Sequence, residues 1–262
     1  MTFEIRYSLM DPSGNVTILA DTAVPDEQQA VVGARLMSLE PVAEQAGFLS
    51  DSGSCDLSLR MAGGEFCGNA AMSAAVLHGI RNGMSQGTVL VEVSGEPDPV
   101  PVQIRSGNDP GEWQGIVKMP RPRAIGTVCF SNGSLLPVVA FRGISHVILE
   151  HSLPEKEAER LVRQWCAELK ADALGMMFLD RDTVSMKPLV FVPAADTLFW
   201  ESTCGSGAAA VGAWLSSESG KEVTVPLNQP GGVLEITASP DGFLFLKGTV
   251  KCIYEKTAVI HL

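Results

Sequence analysis

The chain has 262 residues, 45% hydrophobic and 19% charged, with a formal net charge of -11 and a sequence pI of about 4.8. That balance supplies a core, excludes wholesale disorder, and disfavours nucleic acid, whose partners carry a basic stripe. The sequence shows no apolar run of the roughly 20 residues that span a bilayer and no signal peptide, so a cytoplasmic protein without a membrane partner is expected.

Roughly 100–200 residues per domain allows one large domain or two small ones. Phe3 to Ser8 and Val16 to Ala20 read as strands around a turn at Asp11-Pro12-Ser13-Gly14-Asn15. Pro25 opens an amphipathic helix with Asp26 and Glu27 in its first turn and Ala30, Val31, Ala34, Leu36 and Met37 as its apolar residues. Strands follow at Thr88 to Val93, Pro101 to Arg105 and Gln114 to Met119. After Pro120-Arg121-Pro122 the pattern restarts, with strands at Leu135 to Phe141 and Ser145 to Glu150. Pro154 opens a second helix, acidic at Glu155, Glu157 and Glu159, with Leu161, Val162, Trp165, Cys166 and Leu169 at helical spacing. Strands return at Leu189 to Val192, Val223 to Val225, Val233 to Ala238, Phe243 to Thr249 and Thr257 to Leu262. The expectation is an α+β chain of two similar domains, residues 1–122 and 123–262.

An internal repeat supports the duplication. Glu65-Phe66-Cys67-Gly68-Asn69-Ala70-Ala71 is echoed by Glu201-Ser202-Thr203-Cys204-Gly205-Ser206-Gly207-Ala208. Both run into Ala-rich helices, Ala70 to His78 and Ala208 to Leu215, that lack a polar face and are therefore buried. Each half reads as a strand layer around a central helix with a cysteine at the helix N-terminus. The six cysteines include no C-x-x-C pair, so neither a zinc ribbon nor a thioredoxin motif is expected. Cys55, Cys129, Cys166 and Cys252 read as small buried apolar residues.

A helix N-terminus offers unpaired N–H groups and partial positive charge. It binds a carboxylate where small residues allow close approach, as Gly68, Asn69, Gly205, Ser206 and Gly207 do. It also lowers a thiol's pKa towards neutrality, which suits acid/base work. Two such cysteines fit the inversion of a carbon centre: a thiolate takes a proton from one face and a thiol delivers one to the other. The competing readings are two buried structural cysteines, or a metal site of the two thiols and His146, which lacks the clustered spacing of zinc sites.

The two Cys-Gly motifs resemble the diaminopimelate epimerase-like fold group, which includes proline racemases and phenazine-biosynthesis isomerases; the latter lack the cysteine pair. The chain is most similar to the cofactor-independent histidine racemases, a group that includes the supplier of D-histidine for staphylopine-type metallophores. The resemblance rests on Pro12-Ser13-Gly14-Asn15-Val16-Thr17-Ile18-Leu19, Glu44-Gln45-Ala46-Gly47-Phe48 and Gly64-Glu65-Phe66-Cys67-Gly68-Asn69-Ala70. It continues through Gly175-Met176-Met177, Trp200-Glu201-Ser202-Thr203-Cys204-Gly205-Ser206-Gly207 and Gln229-Pro230-Gly231-Gly232, over nearly the whole chain.

The resemblance implies two β-barrel-like strand layers, each around a central helix, with the site in the cleft between them and the last strand able to return to the first domain. It implies no pyridoxal phosphate or other cofactor, no metal, a small-molecule amino-acid substrate and a possible homodimer. Cys67 and Cys204 match the catalytic pair; Asn15, Gln45, Gly68, Asn69, Gly205 and Ser206 match substrate-contacting positions. Glu44 and Glu201 are expected to orient the amino group or side chain, or else to be surface or capping carboxylates. His146, in Gly143-Ile144-Ser145-His146, stands where diaminopimelate epimerases carry Gly-Asn-Pro-His. Those epimerases also place a Glu-Arg pair shortly before the second cysteine, whereas Ala194 to Trp200 contains no arginine. A second zwitterionic head would lack a charge partner there. Phe199 and Trp200 fit an aromatic side-chain pocket or the core. The expected function is amino-acid racemisation with histidine as substrate; the alternatives are diaminopimelate epimerase and a non-catalytic amino-acid-binding or thiol-sensing protein.

Overall fold

A computed structural model describes residues 2–262. The first half contains β1 (Thr2–Pro12), β2 (Thr17–Ala20), α1 (Asp26–Leu39), β3 (Gln45–Ser50), β4 (Leu57–Met61), α2 (Gly68–Arg81), β5 (Gln86–Val93), β6 (Val100–Ser106) and β7 (Glu112–Met119). The second contains β8 (Ala124–Cys129), β9 (Leu135–Ala140), β10 (Ser145–Leu149), α3 (Glu155–Leu169), β11 (Leu174–Asp180), β12 (Ser185–Val192), β13 (Thr197–Trp200), α4 (Gly205–Ser219), β14 (Val223–Gln229), β15 (Gly232–Ala238) and β16 (Leu244–His261). The chain packs as two units, one running to Lys118 and including Lys247–Leu262, the other Met119–Leu246. Among the described residues no helix is long and apolar enough to cross a membrane.

In the first unit β1 and β2 form a hairpin in which Tyr7 faces Ala20 and Met10 faces Thr17. Ser13 and Gly14 turn it at positive φ, 56° and 97°, the paired left-handed conformation that matches strand twist. β2 runs parallel to β3, and β4 parallel to β5. Parallel neighbours need a crossover; α1 supplies the first and α2 the second. The strand order β1-β2-β3-β4-β5-β6-β7-β16 closes because β16 also pairs with β1. α2 packs against β1, β2, β4, β5 and β6, and its residues from Gly68 to Leu77 are all buried.

The buried face of α1 differs from the sequence reading. Gln29, Val32, Gly33 and Leu36 face inward, and Val31 is 51% exposed. Gly33 sets this rotation: a Cβ there would lie 2.9 Å from Ala62 Cβ and 3.4 Å from Ala46 Cβ, so the helix backbone itself lies against β3. The strands β3, β4, β8, β11 and β13, absent from the sequence reading, are short or carry glycine. β16 is one strand where two were expected; it is bulged at Ile253, where the β1 register shifts from Leu9–Tyr254 to Met10–Cys252.

The second unit repeats the plan. β10 runs parallel to β11 across α3, and β12 meets β14 in parallel at Ser185–Asn228 across α4. α3 buries Leu161, Val162, Trp165 and Cys166 in a cluster with Val147, Leu149, Met176 and Leu189, and Phe130 stacks on Trp165 at 4.5 Å. Each large apolar side chain buried in this way contributes about 1.5–3 kcal/mol. α4 is enclosed like α2, with Ala208, Ala209, Ala210 and Val211 fully buried. Of the four cysteines read as core, only Cys166 is buried; Cys129 is exposed on β8, and Cys55 and Cys252 are half-buried. Cys252 shares the inward face of β16 with the buried Val250 but lies near the point where that face opens to solvent.

The C-terminal strand is fastened to the first unit by a polar cluster. Tyr7 Oη donates to Glu40 Oε1 and Tyr254 Oη to Glu40 Oε2, both at 2.6 Å, while Lys256 Nζ donates to Oε1 at 3.1 Å. These three donors, the two tyrosines above all, hold the Glu40 carboxyl below its ordinary 4.5. A depressed folded-state pKa adds stability above the ordinary carboxylate range, and that stability is lost as pH falls through the folded value. Glu40→Ala is expected to cost about 3 kcal/mol, leaving the Tyr7 hydroxyl buried without an acceptor. The difference from wild type, measured by urea denaturation, should shrink below about pH 4; an equal cost at pH 7 and pH 3 would contradict it.

Candidate active site

Cys67 and Cys204 occupy the same local position in the two units. Cys67 is the N-cap of α2, with φ -132° and ψ 114°, and its sulfur accepts the Ala70 N–H at 3.4 Å. Cys204 is the N-cap of α4, with φ -122° and ψ 109°, and its sulfur accepts the Gly207 N–H at 3.3 Å. An N-cap side chain satisfies an N–H that the helix cannot, a task usually given to Ser, Thr, Asp or Asn. Here sulfur does it twice, at helices whose bodies leave no polar face.

Around Cys67 the predicted residues Asn15, Glu44, Gln45 and Asn69 converge. The thiol donates to Gln45 Oε1 at 3.2 Å. Gln45 Nε2 donates to Asn15 Oδ1 at 2.6 Å and to Thr17 Oγ1 at 2.7 Å. Asn15 Nδ2 donates to Glu44 Oε2 at 2.7 Å, and Asn69 Nδ2 donates to Asn15 Oδ1 at 3.2 Å. Every donor in this chain points from the sulfur towards the Glu44 carboxylate, which fixes the Gln45 amide with its oxygen on Cys67. The parallel register Thr17–Gln45 brings these residues together. Gly68 and Asn69, at the first turn of α2, are buried.

Cys204 stands in a drier place. It is 5% exposed, and its sulfur lies 3.5 Å from Ser206 Oγ. Gly205 follows it, buried, at the start of α4. A Cβ on Gly207 would meet Met177 Sδ at 2.1 Å and Cys204 Sγ at 3.2 Å, so only glycine fits there. Sequence reasoning placed the thiol near neutrality; the structure reverses this for Cys204. Burial first, then the Glu201 carboxylate, push its pKa well above the ordinary thiol value of 9.0, outweighing the Ser206 hydroxyl and the Gly207 N–H. The dipole argument misses the desolvation of the charged form. Glu201 is thus beside the thiol.

His146 is placed differently from the rest. It is fully buried on β10, neither ring nitrogen has a hydrogen-bond partner, and burial lowers its pKa to about 3. Its ring lies against Gly175, where a Cβ would come within 2.2 Å of Nδ1, and edge-on to Phe141 at 6.1 Å. It is a neutral imidazole with no bond to the Cys204 group. Trp200 stacks on Phe178 at 5.6 Å and its Nε1 donates to Glu159 at 3.2 Å, so it covers the α3 core, and Phe199 is 59% exposed. Among the described residues no group of three or more His, Cys, Asp or Glu side chains has the arrangement of a metal site.

Two residues beside Cys204 went unrecognised in the sequence. Gln229 Oε1 accepts the Cys204 N–H at 2.8 Å, and Met177 packs under Gly207. Both lie in stretches that carry the family resemblance, where the glycines drew attention and their neighbours did not.

The family model described as Histidine racemase CntK N-terminal domain matches residues 4–252. A histidine racemase from Fusobacterium nucleatum subsp. nucleatum is 30% identical over 259 residues, covering 96% of this chain and 95% of that protein. A histidine racemase from Staphylococcus aureus is 30% identical over 253 residues, covering 89% and 88%. Among solved structures, a predicted epimerase from Pseudomonas aeruginosa superposes with a TM-score of 0.73 at 17% identity, covering 97% of this chain and 99% of that one. A hydroxyproline epimerase from Agrobacterium vitis, with bound trans-4-hydroxy-L-proline, gives 0.68 at 12% identity, covering 98% and 93%. The structural likenesses show the fold, and the sequence matches show the lineage: this chain belongs to the histidine racemase family, amino-acid racemases of the diaminopimelate epimerase-like fold.

Proposed function

We propose that the protein interconverts L- and D-histidine without a cofactor, with Cys67 and Cys204 as the two acid/base groups. The reading is carried by the repeated N-cap: each sulfur receives a backbone N–H from the first turn of a buried helix, at 3.4 Å in one unit and 3.3 Å in the other. The same N–H groups that cap a thiol stabilise its thiolate. The names of the relatives supply the substrate.

In the forward step a thiolate removes the α-proton and a thiol protonates the opposite face of the same carbon, so the enzyme ends with the protonation states exchanged. The α-carboxylate gains charge as the proton leaves, and helix N-termini with small residues at Gly68, Asn69, Gly205 and Ser206 stabilise it there. Glu44 and Glu201 are the carboxylates available to pair with the α-ammonium. Because burial and Glu201 hold Cys204 protonated, Cys204 enters the cycle as the proton donor, and Cys67 becomes the base once it has given up the proton it holds against Gln45 Oε1.

Incubation with L-histidine in deuterated buffer should give loss of the α-proton signal and appearance of the D-enantiomer. Failure to exchange the α-proton of any amino acid, under reducing conditions, would overturn the reading. Cys67→Ser and Cys204→Ser each keep a capping atom, so the fold should persist while turnover falls roughly 10²–10⁴-fold; full activity in either variant would remove that cysteine from the chemistry.

The pH dependence follows from the sign of the Cys204 shift. A raised thiol pKa keeps the proton donor in place to high pH, and kcat/KM reports the free enzyme. Glu201→Gln removes one of the two causes of the shift, so the high-pH limb of kcat/KM should move to lower pH. An unmoved limb would mean that Glu201 does not set the protonation of the donor.

A further inference from the structure

We infer that Gln229 joins Cys204 to the substrate: its side-chain oxygen fixes the cysteine backbone, and its side-chain nitrogen donates to the substrate carboxylate. The inference rests on the racemase reading and adds a contact to it.

An N-cap residue turns its own N–H away from the helix, and a buried N–H requires a partner. In a capping box a side chain from the same first turn supplies it. At Cys204 it comes from 25 residues further on: Gln229, the last residue of β14, accepts that N–H at 2.8 Å. The turn that follows adds a second tie, Gly231 N–H to Ser202 O at 2.9 Å. On the strand side, Asn228 N–H reaches Val184 O at 2.9 Å and its Nδ2 bonds the Thr183 and Val184 carbonyls. The β14–β15 turn is therefore a bracket, anchored at one side in the β11–β12 turn and holding the 202–204 segment at the other.

The bracket uses half of the Gln229 amide. Its oxygen is committed to Cys204, so its nitrogen, with two N–H groups, occupies the other end of the same planar group. Gln229 is 8% exposed, and Nε2 has no partner. Thr203 Oγ1, one residue before the cysteine and 1% exposed, likewise has none. Two buried donors without acceptors beside one helix N-terminus match a ligand that brings acceptor oxygens. An α-amino acid brings its carboxylate, and the adjacent positive end of α4 favours that anion over a neutral acceptor.

The experiment compares Gln229→Glu and Gln229→Leu with wild type, reading KM and kcat for histidine and the inhibition constant of histidinamide, which lacks the carboxylate charge. Glu keeps an oxygen for the Cys204 N–H and replaces the donor with an acceptor. For Gln229→Glu the KM for histidine is expected to rise at least tenfold, with the histidinamide constant within a factor of two of wild type. Gln229→Leu loses both ends and should lower kcat in addition. An unchanged KM for histidine in Gln229→Glu, or equal losses for histidine and histidinamide, would overturn the inference, the latter because the contact would then not be to the carboxylate. If Gln229→Leu fails to fold, Gln229→Glu decides. Wild-type protein that racemises no amino acid would overturn the underlying reading; wild-type racemisation with no KM change in Gln229→Glu overturns only the role of Gln229.

Discussion

A sulfur atom capping the first turn of a buried helix is the interaction on which the rest of the molecule depends. The bodies of α2 and α4, residues 70–77 and 208–213, are built mainly from Ala and other apolar residues with no charge and offer no polar face, so they are stable only when enclosed by strands. At the N-terminal ends the first turns are buried too, with Gly68 and Asn69 in α2 and Gly205 and Gly207 in α4. The unpaired N–H groups at those ends then need protein partners, and Cys67 and Cys204 provide them for Ala70 and Gly207. The requirement that makes the helix foldable also places a nucleophilic atom where backbone dipoles converge.

Duplication would produce two equivalent thiols, and the two-base mechanism proposed above needs two that differ in protonation at the start of each turnover. The difference lies in their neighbours. Cys67 is half-buried and donates into an amide chain through Gln45 and Asn15 to Glu44. Cys204 is buried beside Glu201, and both influences favour the thiol. The N-cap geometry is shared, while the units break the symmetry through residues outside the helices, Gln45 on β3 and Asn15, Glu44 and Glu201 in the connecting segments.

The Cys-Gly steps and the charge-free helices were legible because they are local patterns. So was α3, whose apolar residues recur at helical spacing, with Leu161, Val162, Trp165 and Cys166 buried and Leu169 partly so. What escaped the sequence is what register and burial decide. Gln45 reaches Cys67 only because β3 runs parallel to β2 with Thr17 opposite Gln45, and β3 contains a glycine and a polar first residue that hide its strand character. The buried face of α1 is set by Gly33 approaching Ala62, which no periodicity of apolar residues encodes. The direction of the Cys204 shift was misread for the same reason: the helix dipole can be inferred from a position in the sequence, and desolvation cannot. Gln229 and Cys204 meet across 25 residues because β14 ends beside the start of α4.

The reversed shift bears on the chemistry. The α-proton of an amino acid is very weakly acidic, and a base matched to it gains from a high affinity for protons. A thiolate in water at ordinary pKa is a minor but present form of modest basicity; a desolvated one is rarer and a stronger base. On the proposed mechanism, burial of Cys204 therefore strengthens the thiolate that forms when its proton has been delivered, which is the base for the reverse reaction. The Gly207 N–H and Ser206 hydroxyl oppose burial by stabilising the charged sulfur, keeping that thiolate within reach. Capping and burial act in opposite directions on one atom, and the working proton affinity is their difference.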